Sequence, residues 1–408
     1  MGRLSSALGR LLQSLVCPEI TQLQVYVDDI LVAALGDRVT REAQLAMLLY
    51  TAAAFGVQIS LKKGERGRRV TWIGCTIEVP VVEMEEPEVV ILGISKQMIE
   101  QVIVTLRSWT TGGMGSLKEL RSTTGRLSWV GGVLPRLRWT VNVLYATLRE
   151  VEKDQEDGTE DRRAQTRQDS RSKRGLFPIK RLGGVHLWLL KLFENPVEHL
   201  IRVENMRRPP ITMGIITDAS PKGWGAILVK VQDGATRTLQ PVAAVEALIN
   251  QQEAQLLEVE WGESSSQAVV EAYAILRALE FWADKLKMRA IIIRADSSVA
   301  LAMMKKLASA HKSLNFIAAE ISLRLEKYEV QRLALHHLRG SWNVEADWLS
   351  RITERGDKPR PKGLEGVHLR RTAPWSATKF WLHAPGDTAG GEEKFTPQDN
   401  IFEHLSVR

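Results

Sequence analysis

Between Glu152 and Arg174 lie 23 residues that include seven acids, seven bases and a single aliphatic side chain, Ala164. Such a segment has no face to bury, so a chain of 408 residues interrupted this way must build a separate core on each side of it. The segment, taken with Gly175 as residues 152–175, reads as a solvated linker. Its acids come first and its bases last, so a charge-laced exposed helix is the alternative. The composition, 44% hydrophobic and 25% charged, supplies enough apolar material for real cores and excludes global disorder. The longest apolar run, Leu45–Val57, has 13 residues, against about 20 needed to span a bilayer. It reads as a buried helix, and no membrane partner is expected.

Lys and Arg exceed Asp and Glu by 55 to 48, a net charge of +7 that suits a polyanionic partner. Cys17 and Cys75 form no CxxC pair, which favours a reducing compartment and argues against structural zinc. Residues 1–16 hold Arg3 and Arg10 without an acid but spell no clear address, so an intracellular location is expected with nucleus or cytoplasm open. The sequence leaves the oligomeric state unknown.

In the first region, Leu23–Val27 and Ile30–Ala33 are β-rich runs meeting at Asp28-Asp29, as in a hairpin with acids at its turn. Arg41–Phe55 reads as a helix ended by Gly56, with strands expected at Val57–Ile59 and Val70–Ile73. From Ser95 the pattern turns helical: Ile99, Val102, Ile103 and Leu106 share a face, and Ser116 with Glu119 forms a capping box. In the second region, strands are expected at Ile211–Thr217, Gly223–Val231, Ala290–Ala295 and Val330–Leu338, and a long helix at Ser265–Lys287. This order implies an α/β layer fold. The Pro-, Gly- and charge-rich stretch from Ile352 to Arg408 reads as a largely flexible tail.

Asp218, Asp296 and Asp347 each stand where a strand ends or a helix begins, and Glu271 lies one to two turns inside the long helix. Acids so placed can converge. Their mutual repulsion is relieved by a hard divalent cation, which favours Mg²⁺ or Mn²⁺ over softer metals. Their contexts, Asp218-Ala-Ser-Pro-Lys-Gly-Trp-Gly-Ala226, Glu271-Ala-Tyr-Ala274, Arg294-Ala-Asp-Ser297 and His337-Leu-Arg-Gly-Ser-Trp-Asn-Val-Glu-Ala-Asp-Trp-Leu-Ser-Arg351, resemble the successive active-site segments of retroelement ribonuclease H domains. That resemblance implies hydrolysis of the RNA strand of an RNA:DNA hybrid with two metal ions, one activating water and one stabilising the leaving 3′ oxygen. Asp218 would bridge both ions, Glu271, Asp296 and Asp347 would complete their shells, and His337 would assist proton transfer or product release. Backbone around Ser220 and Gly223 would read the hybrid, where the 2′-hydroxyl separates RNA from DNA. Gly223 and Gly225 would let a backbone approach the hybrid closely, with a turn and a bulge as an equal alternative.

Tyr26-Val27-Asp28-Asp29, followed by Gly56–Lys63 and Val70–Gly74, resembles the later palm motifs of reverse transcriptases. The resemblance implies a metal ligand at Asp28, its turn neighbour at Asp29, and at Lys63 an acid near the leaving pyrophosphate. The helices from Ser95 to about Leu148 resemble a thumb and connection. Arg121, Arg126, Arg136 and Arg138, interleaved with Trp109, Trp129 and Trp139, would grip a duplex backbone, or equally pack and solvate an ordinary helical surface. No Asp lies among the 27 residues before Asp28, so the polymerase part is expected to be inactive here.

The resulting expectation is the C-terminal part of a retroelement Pol protein: residues 1–93 a truncated reverse transcriptase palm, 94–151 helical thumb and connection, 152–175 linker, 176–208 a connection helix region, 209–352 ribonuclease H, and 353–408 tail. The alternatives are a non-catalytic, nucleic-acid-binding transposon remnant, or part of a full RNA-directed DNA polymerase.

Overall fold

A computed structural model of the chain describes residues 2–16, 21–26, 29–80, 89–161, 175–194, 200–232, 238–376 and 379–382. It divides into two units, residues 1–95 and 96–408. Among the described residues no helix is long and apolar enough to cross a membrane.

The first unit opens with α1 (Gly2–Ser14) and the antiparallel pair β1 (Thr21–Tyr26) and β2 (Asp29–Ala34). Tyr26 pairs with Asp29, so Asp29 belongs to β2, while Val27 and Asp28 lie outside the described residues. Asp37 then caps α2 (Arg38–Ala54) by accepting from the Thr40 amide, which starts the helix three residues before the apolar pattern does. Only Leu48 and Ala52 of α2 are buried, whereas Met47, Tyr50 and Phe55 are exposed, so the apolar run does not make a buried helix. No strand forms at Val57–Ile59, which is irregular and runs into a 3-10 turn at Leu61–Lys63. β3 (Arg69–Trp72), β4 (Cys75–Glu78) and β5 (Val89–Ile94) complete the unit as an antiparallel meander.

The second unit begins with helices. α3 (Lys96–Gly112), the short strand β6 (Met114–Ser116), α4 (Leu117–Val133), α5 (Arg138–Asp161), β7 (Leu176–Pro178), α6 (Val185–Glu194) and β8 (Ile201–Asn205) follow one another. The capping box forms as the sequence implies, Ser116 Oγ accepting from the Glu119 amide and Glu119 from the Ser116 amide. Trp109 against Phe177 and Trp139 against Trp188 fill this core edge to face. α5 continues to Asp161, so the acidic half of the charged segment is helix rather than linker.

The rest of the unit is built on a six-stranded mixed sheet of order β13-β12-β9-β10-β11-β14. β9 (Ile211–Ser220), β10 (Gly223–Gln232) and β11 (Thr238–Leu248) are an antiparallel meander. After α7 (Gln251–Leu256), α8 (Gln267–Phe281) and α9 (Ala283–Leu286), β12 (Ala290–Ala295) lies parallel to β9. α10 (Ser298–Lys306) and α11 (Lys312–Lys327) lead to β13 (Arg332–His337), parallel to β12, and α12 (Val344–Ser350) follows. The fold class is therefore α/β with a mixed sheet, as expected. α12 presses Ala346 and Leu349 into a cluster with Ile227, Val229, Ala244 and Leu364.

The tail corrects a sequence expectation. β14 (His368–Arg371) joins the sheet parallel to β11, and Trp375, Phe380 and Leu382 are buried. Beneath them lie two ion pairs, Glu253–Arg277 and Glu320–Arg324, each with both partners at most 2% exposed. The Trp375 amide donates to Glu253, the Trp381 and Leu382 amides donate to Glu320, and the Ala373 and Lys379 carbonyls accept from Arg277 and Arg324. Residues 352–376 and 379–382 are thus part of the fold, and their amides and carbonyls complete the hydrogen bonding of these buried charges.

Candidate active site

Asp218 lies near the end of β9, in the middle of the sheet, and is 7% exposed. Both of its oxygens are held: Ser350 Oγ donates to Oδ2 at 2.5 Å and Asn343 Nδ2 donates to Oδ1 at 3.2 Å. Asn343 begins α12 and Ser350 ends it, so this one short helix clamps the aspartate from both sides. Asn343 Nδ2 also reaches the Thr217 carbonyl. The helix can come this close only because β10 carries Gly225, where an added Cβ would sit 2.2 Å from Leu349 Cβ, and Gly223, where it would sit 2.5 Å from the Ser350 carbonyl. Ser220 Oγ lies 2.9 Å from the same carbonyl. Ser220 and Gly223, expected at the hybrid, are both buried and are used to seat α12.

The other three acids surround Asp218 on different elements. Glu271, on α8, accepts from Gln267 Nε2 at 3.2 Å, while Gln267 also reaches the Ala219 carbonyl beside Asp218. Asp296 follows β12 directly and precedes Ser297, the N-cap of α10. Asp347, on α12, accepts from Arg351 Nε at 2.7 Å and is about two-fifths exposed. Burial pushes the Asp218 carboxyl up to about 7, opposed by the Ser350 hydroxyl and reinforced by the charges of Asp296, Asp347 and Glu271. Burial also raises Glu271, opposed by hydrogen bonds from Ser297 and Gln267 and reinforced by Asp296. The four acids therefore share one electrostatic environment.

Among the described residues no group of three or more His, Cys, Asp or Glu side chains is arranged to hold a metal ion. The donor set nonetheless fits a hard divalent cation. Asp296 Oδ1 is buried with no hydrogen-bond partner, an orphaned acceptor that a cation would satisfy, and all four candidate ligands are carboxylates. His337, exposed at the end of β13, places Nε2 2.9 Å from the Asp296 carbonyl, so its ring stands against the same strand end.

The remaining candidates are dispersed. Tyr26, Asp29 and Lys63 are exposed in the first unit, and Asp28 lies outside the described residues. Arg121 pairs with Glu152 at 2.8 Å. Arg136 pairs with Glu326 on α11 at 2.6 Å and is 12% exposed, and Arg138 Nε donates to the Gly131 carbonyl. Both side chains are thus engaged within the protein. Trp109 and Trp139 are core, whereas Arg126 and Trp129 are half-buried on α4. Asn343, Ser350 and Arg351 belong to the same sequence motif as Asp347, and their roles become visible only in the folded site. Their amide, hydroxyl and guanidinium at spacings that bracket Asp347 were the available signal.

Residues 232–353 match a family model described as reverse transcriptase-like, a stretch that includes Glu271, Asp296 and Asp347. No curated protein matches the chain. Among solved structures it is similar to LC11-RNase H1, isolated from compost by a metagenomic approach, at 24% identity over 34% of this chain and 93% of that one, with a TM-score of 0.25. RNase H1 from the halophilic archaeon Halobacterium salinarum NRC-1 is 16% identical over 34% of this chain and 91% of that one, with a TM-score of 0.23. A foamy viral protease-reverse transcriptase, solved in complex with double-stranded DNA, is 15% identical over 82% of this chain and 48% of its own, with a TM-score of 0.31. What this chain carries is thus a mixed α/β unit in which the segment bearing three of the four acids is reverse transcriptase-like.

Proposed function

We propose that the second unit is a metal-dependent endoribonuclease of ribonuclease H type, acting on the RNA strand of RNA:DNA hybrids, within a retroelement reverse transcriptase polyprotein. The observation that carries this reading is the electrostatic state of Asp218, buried, clamped by Asn343 and Ser350, and raised by three other acids from three other elements. Four carboxylates brought together with a single counter-charge, Arg351 beside Asp347, are costly to keep ionised, a cost that function rather than packing explains.

Asp218, Glu271, Asp296 and Asp347 would hold Mg²⁺ or Mn²⁺, two ions in all. When bound, such ions lower the pKa of water and neutralise charge developing on phosphate oxygens. The side chains supply the rest. Ser350 and Asn343 fix the plane of the Asp218 carboxylate, and Arg351 orients Asp347. Ser297 and Gln267 orient Glu271. His337, exposed and set against the Asp296 carbonyl, is placed to carry a proton to or from the reacting strand.

The test is incubation of the full chain with Mg²⁺ and end-labelled RNA, either single-stranded or annealed to DNA, alongside Asp218→Asn. The expected result is cutting of the hybrid alone, lost in the variant. Absence of cutting by folded protein, even with Mn²⁺, overturns the reading and leaves a nucleic-acid-binding remnant.

A further inference from the structure

Beside the strand ends that carry Asp296 and His337 lies a recess of ≈ 410 Å³ lined by Arg294, His336, His337, Leu338, Arg339 and Trp342. Two features of it are not used by the proposed chemistry. The first is cationic. Arg294 and His336 are register partners on β12 and β13, so they stand side by side. Neither Arg294 nor Arg339 forms an ion pair or a side-chain hydrogen bond among the described residues, and Arg294 Nε is buried without a partner. Elsewhere in the unit guanidinium groups are typically committed, as in Arg277 with Glu253, Arg324 with Glu320 and Arg355 with Glu246.

The second feature is aromatic. Trp342 is 67% exposed, the most exposed tryptophan among the described residues, on the 3-10 turn Gly340–Trp342 before α12. Arg339 lies over its ring at 5.6 Å, covering one face of the indole. A large apolar ring left in water beside uncommitted cations is the composition of a surface that meets a flat anionic ligand. Bases within a duplex are already stacked on their neighbours, so a ring presented this way suits an unpaired nucleotide.

We propose that this recess binds a nucleotide of single-stranded nucleic acid, its phosphate held by Arg294 and Arg339 and its base stacked on Trp342. Taken with the nuclease reading, on which the position beside the scissile strand rests, it would hold the unpaired strand that flanks a hybrid. Binding itself is independent of that reading.

The experiment is fluorescence anisotropy of the full chain with a labelled single-stranded RNA of about a dozen nucleotides, in EDTA. Trp342→Ala is expected to raise Kd about tenfold and Trp342→Phe to restore most of it, as stacking on any aromatic face requires. Arg294→Gln is expected to weaken binding and flatten its salt dependence. Wild-type affinity in Trp342→Ala, or no binding of single strands by the wild type, overturns the proposal. Because no metal is present and no cleavage is read, failure of the nuclease reading leaves this result standing, and the reverse holds too.

Discussion

At the scale of single residues, the balance at Asp218 sets the behaviour of the site. Burial, with the charges of three neighbouring acids, pushes its carboxyl from the ordinary 3.8 up to about 7 in the folded protein. Below the lower value it is protonated in both states and contributes nothing. As pH rises between the two, only the unfolded chain releases its proton, so stability falls, and above about 7 the loss is complete, on the order of 4 kcal/mol. Asp218→Asn is therefore expected to melt roughly 5–10 °C above the wild type at pH 8 in EDTA, with the gap closing towards pH 4. Thermal melts across that range check it, and a gap that does not change with pH would contradict it. The four acids and His337 were legible in the sequence because each stands in a distinctive local run. Ser350 and Asn343 as the clamp on Asp218 were not, since a hydrogen bond across more than a hundred residues exists only once α12 has packed on β9 and β10.

At the scale of elements, the segment beyond α12 behaves as a strap. It adds β14 to the sheet, pairs Arg355 and Arg371 with the buried Glu246, and lays Trp375, Phe380 and Leu382 over the Glu253–Arg277 and Glu320–Arg324 pairs. Truncation after Thr372 would leave both pairs without their backbone partners. Because burying each large apolar side chain contributes about 1.5–3 kcal/mol, loss of Trp375, Phe380 and Leu382 is expected to lower the melting temperature by about 10 °C or more. An unchanged melting temperature would show that the strap is dispensable.

The strap was hidden in the sequence because β14 has four residues, too few for a period, and because its apolar anchors are isolated among Pro, Gly and charge. β11 was hidden for a related reason. Pro241 sits at its register shift against Leu228-Val229, where the missing amide is tolerated, yet a proline reads as a break. By contrast β9, β10 and β12 were legible as apolar runs rich in β-branched residues, and β13 as a short apolar run ending at two histidines. The apolar run of α2 misled, since composition gives the number of apolar residues but not the face they cover.

At the scale of the molecule, the helices of residues 96–194 and the mixed sheet form one unit. Asn142 donates to the Ser309 carbonyl, Asn315 to the Trp139 carbonyl, and Ser322 to the Arg136 carbonyl, so α5 and the turn before it are stitched to α11 by buried polar contacts. Arg136 is taken up in this seam by its pair with Glu326. In the proposed nuclease the four acids direct water, rather than the RNA's own 2′-hydroxyl, against the phosphodiester. End-group analysis of the cleaved RNA strand separates the two. The expected products are 3′-hydroxyl and 5′-phosphate ends from the wild type, with no cutting by Asp218→Asn; 2′,3′-cyclic phosphate ends, or cutting that survives the substitution, would overturn the proposed chemistry.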